Sequence, residues 1–182
     1  MAVQPKIHTV EDFERFIALP ENDDRLFELI NGEIVEKLPT EAHGTYAANI
    51  VIELGTYKKQ NSGRISVEAR YRPEDDIRND RLPDVSYTRA DHLEPLVTKG
   101  AVLHMPDLAV EIQSEDQSAK FMFEKAHYYL DNGAGMVWIV YRNHSVRVMT
   151  PTRDTLLTLE DTIDGGDVLP GFSLAVKDIF AE

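Results

Sequence analysis

Two strand-like runs each carry an acidic residue that could take part in chemistry. In DLAVEIQS, side chains alternate across a sheet, so Glu111 and Gln113 face one side while the apolar residues between and beside them face the other. In PDVSYTR, Asp84 lies at the start of the run. If these two strands are neighbours in the sheet, Asp84 and Glu111 can converge on one cation.

This pair of carboxylates predicts a site for Mg²⁺ or Mn²⁺, because hard divalent cations prefer oxygen ligands. We predict Asp84, Glu111 and the backbone carbonyl of Ile112 as the protein ligands of the metal, with the carbonyl of Gln113 as the alternative to that of Ile112. Water and a phosphate oxygen would take the remaining positions, as hydrolysis of a phosphodiester bond requires. The metal would lower the pKa of the attacking water and neutralise charge in the transition state.

A basic group is also expected near the attacking water, and the second predicted helix offers Lys125. Phe121, Lys125 and Tyr129 recur at a spacing of four residues, which places Lys125 on the border of a buried stripe. We predict that Lys125 orients or polarises the water. The alternative is that its stem lies along the core while its amine reaches solvent. Tyr129 is predicted to pack in the core.

Each of these residues also has a purely structural interpretation. Asp84 could begin a strand, and Glu111 could be the exposed member of a half-buried strand. Gln113 is predicted to line the site rather than to react, or only to hydrogen-bond a neighbour. His43, near the start of the first long helix, is predicted as a neighbour of the site, with a local hydrogen bond or solvent exposure as the alternative.

The elements that must position these residues begin with a short helix and a hairpin. TVEDFERFIALP predicts a helix with Thr9 as its N-cap. RLFELINGEIVEKLP predicts two strands joined at Asn31 and Gly32, a dipeptide that supplies the positive φ angles of a tight turn. The helix is expected to form an N-terminal cap over residues 1–24, and the core is expected over residues 25–182.

The rest of the chain alternates between helical and extended patterns. A long helix is predicted in TEAHGTYAANIVIELGTYKKQ and a second one from about Ser118 to Asp131. Strands are predicted in SVEARYRP, PDVSYTR, DLAVEIQS, MVWIVY and SVRVMTP. This order predicts a single α/β domain with a mixed central sheet between helices.

Composition limits the function classes. The chain has no cysteine, which excludes disulfides and thiolate metal sites. Its formal net charge of −13 argues against a nonspecific nucleic-acid coat. A nucleic-acid substrate therefore requires a local basic surface, metal ions that bridge to phosphate, or a substrate other than long duplex. Arg70 and Arg72 could contact phosphate, although alternating charge is also ordinary on an exposed strand.

The N-terminal segment lacks a signal pattern, and no apolar stretch is long enough for a membrane helix. We therefore expect a cytoplasmic protein with no membrane partner.

Several segments together carry a resemblance to a known family. PDVSYTR, DLAVEIQS, KAHYYLDNGAGMVWIVY and VLPGFSLAVKDIF, with FELINGEIVE near the N-terminus, resemble the Uma-two family of restriction-endonuclease-like proteins in the PD-(D/E)xK nuclease superfamily. The resemblance extends from about Arg25 to Phe180.

The resemblance implies a restriction-endonuclease-like αβββαβ core with an N-terminal β-hairpin, and metal ligands at Asp84 and Glu111. Lys125 matches the family's lysine on the helix that follows. FELINGE implies a supporting role for Glu28 beside the site, with an ordinary outward-facing strand residue as the alternative. The departure is Gln113, which stands where the superfamily pattern has its lysine. This puts catalytic competence in question more than the fold.

The resulting hypothesis is a Mg²⁺- or Mn²⁺-dependent endonuclease that acts on nucleic acid, with DNA as the expected substrate. The rival is a catalytically inactive protein that keeps this fold as a binding or assembly module, which the negative charge and Gln113 favour. A homodimer is expected by analogy with restriction-type enzymes, because cleavage of a duplex needs two sites.

Overall fold

The computed structural model describes residues 7–182, so the first six residues of the expected N-terminal cap lie outside the described part. The helices are α1 (Val10–Ile17), α2 (Glu41–Asn61), α3 (Ala119–Asp131) and α4 (Val176–Ile179). The strands are β1 (Leu26–Ile30), β2 (Glu33–Lys37), β3 (Arg64–Val67), β4 (Val85–Thr88), β5 (Leu108–Ile112), β6 (Met136–Val140), β7 (Val146–Met149), β8 (Asp154–Leu157), β9 (Thr162–Asp164) and β10 (Ser173–Ala175).

A mixed six-stranded sheet forms the centre, with the strands in the order β3-β4-β5-β6-β7-β8. β5 and β6 are parallel, and the other neighbouring pairs are antiparallel. Because parallel strands need a crossover, α3 connects β5 to β6 and lies against both. The predicted α/β core with a mixed sheet between helices is confirmed.

Alternate residues of β5 contribute to two separate hydrophobic cores. Val110 packs in the core that contains Ile50 and Leu54 of α2. Ala109 packs in the core that contains Met122 of α3. The sheet therefore lies between α2 and α3, and the period-two alternation puts Glu111 on the same side as Ala109, beneath α3.

The N-terminal hairpin forms as its sequence predicts. Asn31 and Gly32 have φ angles of 51° and 86°, so both supply the positive φ that the tight turn requires. β1 also pairs with the central part of the chain through Leu29, whose amide donates to the carbonyl of Asp80 at 2.9 Å. Glu28 lies directly opposite Val35, and opposed residues share a face of a hairpin. Lys37 is two residues from Val35, so it lies on the same face as Glu28.

The predicted strand SVEARYRP is only partly correct, because β3 ends at Val67. Glu68 has a φ of 51°, a left-handed conformation that interrupts the strand ladder. Arg70, expected as a possible phosphate contact, instead binds the carboxylates of Asp80 and Glu14. The positive charge of Arg70 is therefore already paired with carboxylates of the protein itself.

The short helix α1 is confirmed with its N-cap: Thr9 and Asp12 form a reciprocal capping box. Over residues 7–182, no helix is long and apolar enough to cross a bilayer.

Candidate active site

Asp84 lies immediately before β4, at the point where this strand meets β5. The backbone amide of Asp84 donates to the carbonyl of Val110 at 3.0 Å. Its carboxylate accepts a hydrogen bond from the amide of Ile112 at 2.6 Å. These two bonds hold Asp84 against β5, so the predicted convergence of the two strands places it near Glu111.

Two cationic or polar side chains reach the same oxygen of Asp84. Lys37, from the end of β2, forms a buried ion pair with Oδ1. Nε2 of His43, in the first turn of α2, lies 3.0 Å from that oxygen. Burial alone would raise the pKa of Asp84, but Lys37 and His43 outweigh it and hold this pKa below its usual range. Asp84 is therefore ionised at neutral pH.

Lys37 is also protonated, and therefore positively charged, at neutral pH. Burial opposes it, but Asp84, Glu111 and Glu28 together raise the pKa of Lys37 above its ordinary value. Its amine additionally donates to the carbonyl of Leu82 at 2.7 Å. Lys37 is thus a fixed cation rather than a base.

A second group of buried side chains surrounds Glu111. Lys125 donates to Oε2 of Glu111 and to Oε1 of Glu28, at 2.8 Å in both cases. The hydroxyl of Tyr129 donates to the other oxygen of Glu111 at 2.7 Å. The side chain of Lys125 is only 1% exposed, so its amine does not reach solvent as the alternative interpretation required.

Glu111 and Asp84 have opposite electrostatic environments. Burial raises the pKa of Glu111, and the attraction of Lys125 and Lys37 does not fully offset it. Burial also raises the pKa of Tyr129 well above its ordinary value, with the charge of Glu111 adding to the effect. Tyr129 therefore remains a neutral donor to Glu111.

These opposite shifts predict opposite pH dependences of stability. The raised pKa of Glu111 means that its contribution is fully present below the unfolded value of about 4.5 and declines as pH rises through the folded pKa. Relative to Glu111→Gln, the wild type should therefore lose stability as pH rises above about 4.5. Urea unfolding at a series of pH values measures this difference, and a difference that does not change with pH contradicts the raised pKa.

Asp84 provides the matched comparison. Its lowered pKa gives a contribution that is present above the unfolded value of about 3.8 and is lost as pH falls through the folded pKa. The advantage of the wild type over Asp84→Asn should accordingly shrink toward acid, which is the opposite trend to that of Glu111→Gln.

An open cleft of about 840 Å³ adjoins these groups. Lys37, His43, Glu111 and Gln113 are among the residues that line it. The side-chain amide of Gln113 donates to the carbonyl of Gln117 at 2.8 Å, so it braces the loop after β5. Gln113 thus lines the cleft without a hydrogen bond to Asp84, Glu111 or Lys125.

A model of the Uma2 family, described as "Putative restriction endonuclease", matches residues 10–177. The chain belongs to the Uma2 family. No protein with a curated description matches it. Among solved structures it is similar to one described as "a putative nuclease belonging to DUF820", from Anabaena variabilis. That chain is 24% identical, with a TM-score of 0.77 over 94% of this chain and 97% of the other, a likeness that shows the fold.

In this Uma2 chain, the structure brings together most of the residues singled out in the sequence. Asp84, Glu111 and Lys125 lie in one buried cluster with Glu28 and His43. Gln113 lies beside the cluster, on the wall of the cleft. The roles of these residues in binding or catalysis stay predictions.

Sequence reasoning missed Lys37 and the hydrogen bond made by Tyr129. Lys37 could have been found from the hairpin register, because its position two residues from Val35 puts it on the face that carries Glu28. Tyr129 packs in the core as predicted, and its fully buried hydroxyl required a partner that the helical pattern did not identify.

The donor set of the Uma2 site suits a hard divalent cation. Glu28, Asp84 and Glu111 are oxygen donors, and among the described residues Oε2 of Glu28 is buried without a hydrogen-bond partner. As the side chains stand between residues 7 and 182, no group of three or more His, Asp or Glu residues is arranged around a common metal position. The two lysines hold carboxylate oxygens in this arrangement, so metal binding must replace some of these contacts.

Proposed function

We propose that this Uma2 protein is a metal-dependent nuclease that hydrolyses phosphodiester bonds of nucleic acid. The observation that carries the proposal is the buried cluster of Glu28, Asp84, Glu111, Lys37 and Lys125, which reaches an open cleft through Lys37 and Glu111. Burying this many charges is costly, and a site for chemistry on a charged substrate gives a reason to retain them.

Asp84 and Glu111 would hold Mg²⁺ or Mn²⁺, with the carbonyl of Ile112 as a further ligand. The bound cation would lower the pKa of a water molecule and neutralise charge on the phosphate. Lys125 fixes the positions of Glu28 and Glu111, because it donates to both carboxylates. In the reaction the water oxygen bonds to phosphorus, the bond from phosphorus to the leaving oxygen breaks, and the water's proton ends on that leaving oxygen.

The charges around the cleft favour binding that depends on metal. Acidic residues on its rim repel phosphate; they are Glu33, Glu36, Glu115 and Asp116. Arg142, also on the rim, pairs with Glu115 at 3.1 Å. Aromatic side chains of Tyr46, Phe121 and Tyr141 could contact bases. We therefore propose DNA as substrate, with an unpaired segment favoured over continuous duplex, and a homodimer where both strands of a duplex are cut.

A second candidate function is a catalytically inactive binding or assembly module. The observation that favours it is that Lys37 and Lys125 occupy carboxylate oxygens that a metal would need. In a module of this kind, the buried charges would serve only to favour this fold over alternative packings of the chain.

Cleavage assays separate the two functions. Supercoiled DNA, single-stranded DNA and RNA are incubated with the purified protein and Mg²⁺, Mn²⁺ or EDTA. The nuclease function predicts that the nucleic acids are nicked or shortened with either metal and remain intact with EDTA. Intact substrates under all conditions, together with a melting temperature that Mg²⁺ does not change, would support the inactive module.

A further inference from the structure

The two buried lysines differ in their access to the cleft. Lys37 is among the residues that line the cleft, and its side chain is 7% exposed. Lys125 is 1% exposed, its amine lies 5.9 Å from the centre of the Phe121 ring, and it lines a separate pocket of about 420 Å³. A molecule that enters the cleft can therefore meet the amine of Lys37 before that of Lys125.

The hydrogen bonds of Lys37 leave it able to donate once more. An ammonium group has three N–H donors. Lys37 gives one to Asp84 and one to the carbonyl of Leu82. These two acceptors fix the amine beside Asp84. Among the described residues they are its two hydrogen-bond partners, so one N–H remains for a molecule in the cleft that Lys37 lines.

Gln113 and Arg142 also line the cleft, but neither places a positive charge beside Asp84. Gln113 is neutral, and both ends of its amide are engaged: it donates to Gln117 and accepts from the backbone amide of Arg142 at 3.3 Å. The side chain of Arg142 carries a charge but points to Glu115 on the rim. Two of the described side chains both contact Asp84 and line the cleft, Lys37 and His43. Lys37 is the ammonium group of the two, and it retains an N–H beyond the two that it donates to Asp84 and Leu82.

We propose that Lys37 is a catalytic residue that contacts the scissile phosphate, whereas Lys125 is a positioning residue for Glu28 and Glu111. This inference rests on the proposed nuclease function. Lys37 keeps its proton and donates a hydrogen bond to a non-bridging phosphate oxygen while the water oxygen bonds to phosphorus. Its charge stabilises the negative charge that grows on that non-bridging oxygen as the water oxygen attacks. The bond from phosphorus to the leaving oxygen then breaks, and the proton from the water ends on that leaving oxygen.

The decisive variant is Lys37→Met, which keeps the length and apolar stem of the side chain and removes the charge. Asp84 retains its bonds from His43 and the amide of Ile112. At saturating Mg²⁺, we expect the single-turnover cleavage rate to fall by about 100-fold or more. The Mg²⁺ concentration needed for half of the thermal stabilisation should stay the same or decrease, because a competing cation has been removed.

Three further variants test whether the loss of cleavage rate comes from the missing charge of Lys37. Lys37→Gln can still donate to Asp84, so it replaces Lys37→Met in the test if that variant does not fold. It should show the loss of cleavage rate that is expected for Lys37→Met. Lys37→Arg keeps the charge and should restore a substantial part of the rate. Lys58→Met replaces an exposed lysine of α2 and should cleave like the wild type.

The outcomes distinguish this inference from the proposed function. If the folded Lys37→Met or Lys37→Gln variant cleaves at the wild-type rate once Mg²⁺ is saturating, Lys37 only neutralises Asp84 and the catalytic role is wrong. If the wild type binds Mg²⁺ and cleaves, while the neutral variants bind Mg²⁺ and do not cleave, the role is supported. A wild type that cleaves nothing with either metal overturns the nuclease function and this role with it.

Discussion

Replacement of Lys125 by methionine is expected to lower the free energy of unfolding by about 3–5 kcal/mol at neutral pH. Methionine fits the space left by the lysine stem, so the main cost is electrostatic rather than a cavity. Lys125 contacts Glu28 and Glu111, and both carboxylates are almost completely buried. Without the amine, two like charges would remain together in a region of low dielectric.

Urea denaturation at several pH values measures this loss. The loss should diminish toward acid, because protonation of Glu111, whose pKa is raised by burial, removes the repulsion. Lys120→Met is the matched control, since Lys120 lies on the same helix with its side chain 86% exposed; it should change stability by less than about 0.5 kcal/mol. Equal losses in both variants would show that the buried bridge does not stabilise the fold.

The combined variant Lys125→Met, Glu28→Gln, Glu111→Gln tests the cause. Neutral amides remove the unpaired charges, so stability should recover toward the wild-type value. A triple variant that is no more stable than Lys125→Met would assign the loss to packing instead.

The sequence predicted the helices and strands correctly where the local residue pattern and the tertiary packing favour the same structure. The alternation in β5 separates Val110 from Ala109, and the two residues do enter different cores. Asn31 and Gly32 determined the hairpin because few other dipeptides adopt two positive φ angles at low cost. The end of β3 was less predictable, since Glu68 adopts a positive φ that its residue type does not signal.

The candidate site shows what local patterns cannot supply. The resemblance placed Asp84, Glu111 and Lys125 in sequence, but their contacts depend on how the hairpin docks against the sheet. That docking brings Glu28 to Lys125 across 97 residues of chain and Lys37 to Asp84 across 47. The hairpin register puts Lys37 on the same face as Glu28, but a lysine on a short strand is ordinary at the surface. Its burial against Asp84 therefore became visible only in the tertiary contacts.

Replacement of Asp84 by asparagine is expected to reduce metal-dependent cleavage by at least about 100-fold, because a metal ligand contributes several kcal/mol to the transition state. Asparagine keeps the shape of the side chain but removes the charge that pairs with Lys37 and that would bind the proposed divalent cation. Glu111→Gln should show a loss of similar size, since Glu111 is the second proposed metal ligand. Single-turnover cleavage of single-stranded and supercoiled DNA at increasing Mg²⁺ gives these rates.

The thermal stabilisation by Mg²⁺ should disappear in Asp84→Asn even when DNA is absent, which separates loss of metal binding from loss of substrate binding. Asp91→Asn is the control, because Asp91 is an exposed acid that pairs with Arg89 outside the cluster; it should bind Mg²⁺ and cleave like the wild type. If Asp84→Asn instead retains Mg²⁺-dependent cleavage, the metal site lies elsewhere. The pairing of Asp84 with Lys37 would then be a structural ion pair, and its buried charges would serve the stability or specificity of the fold.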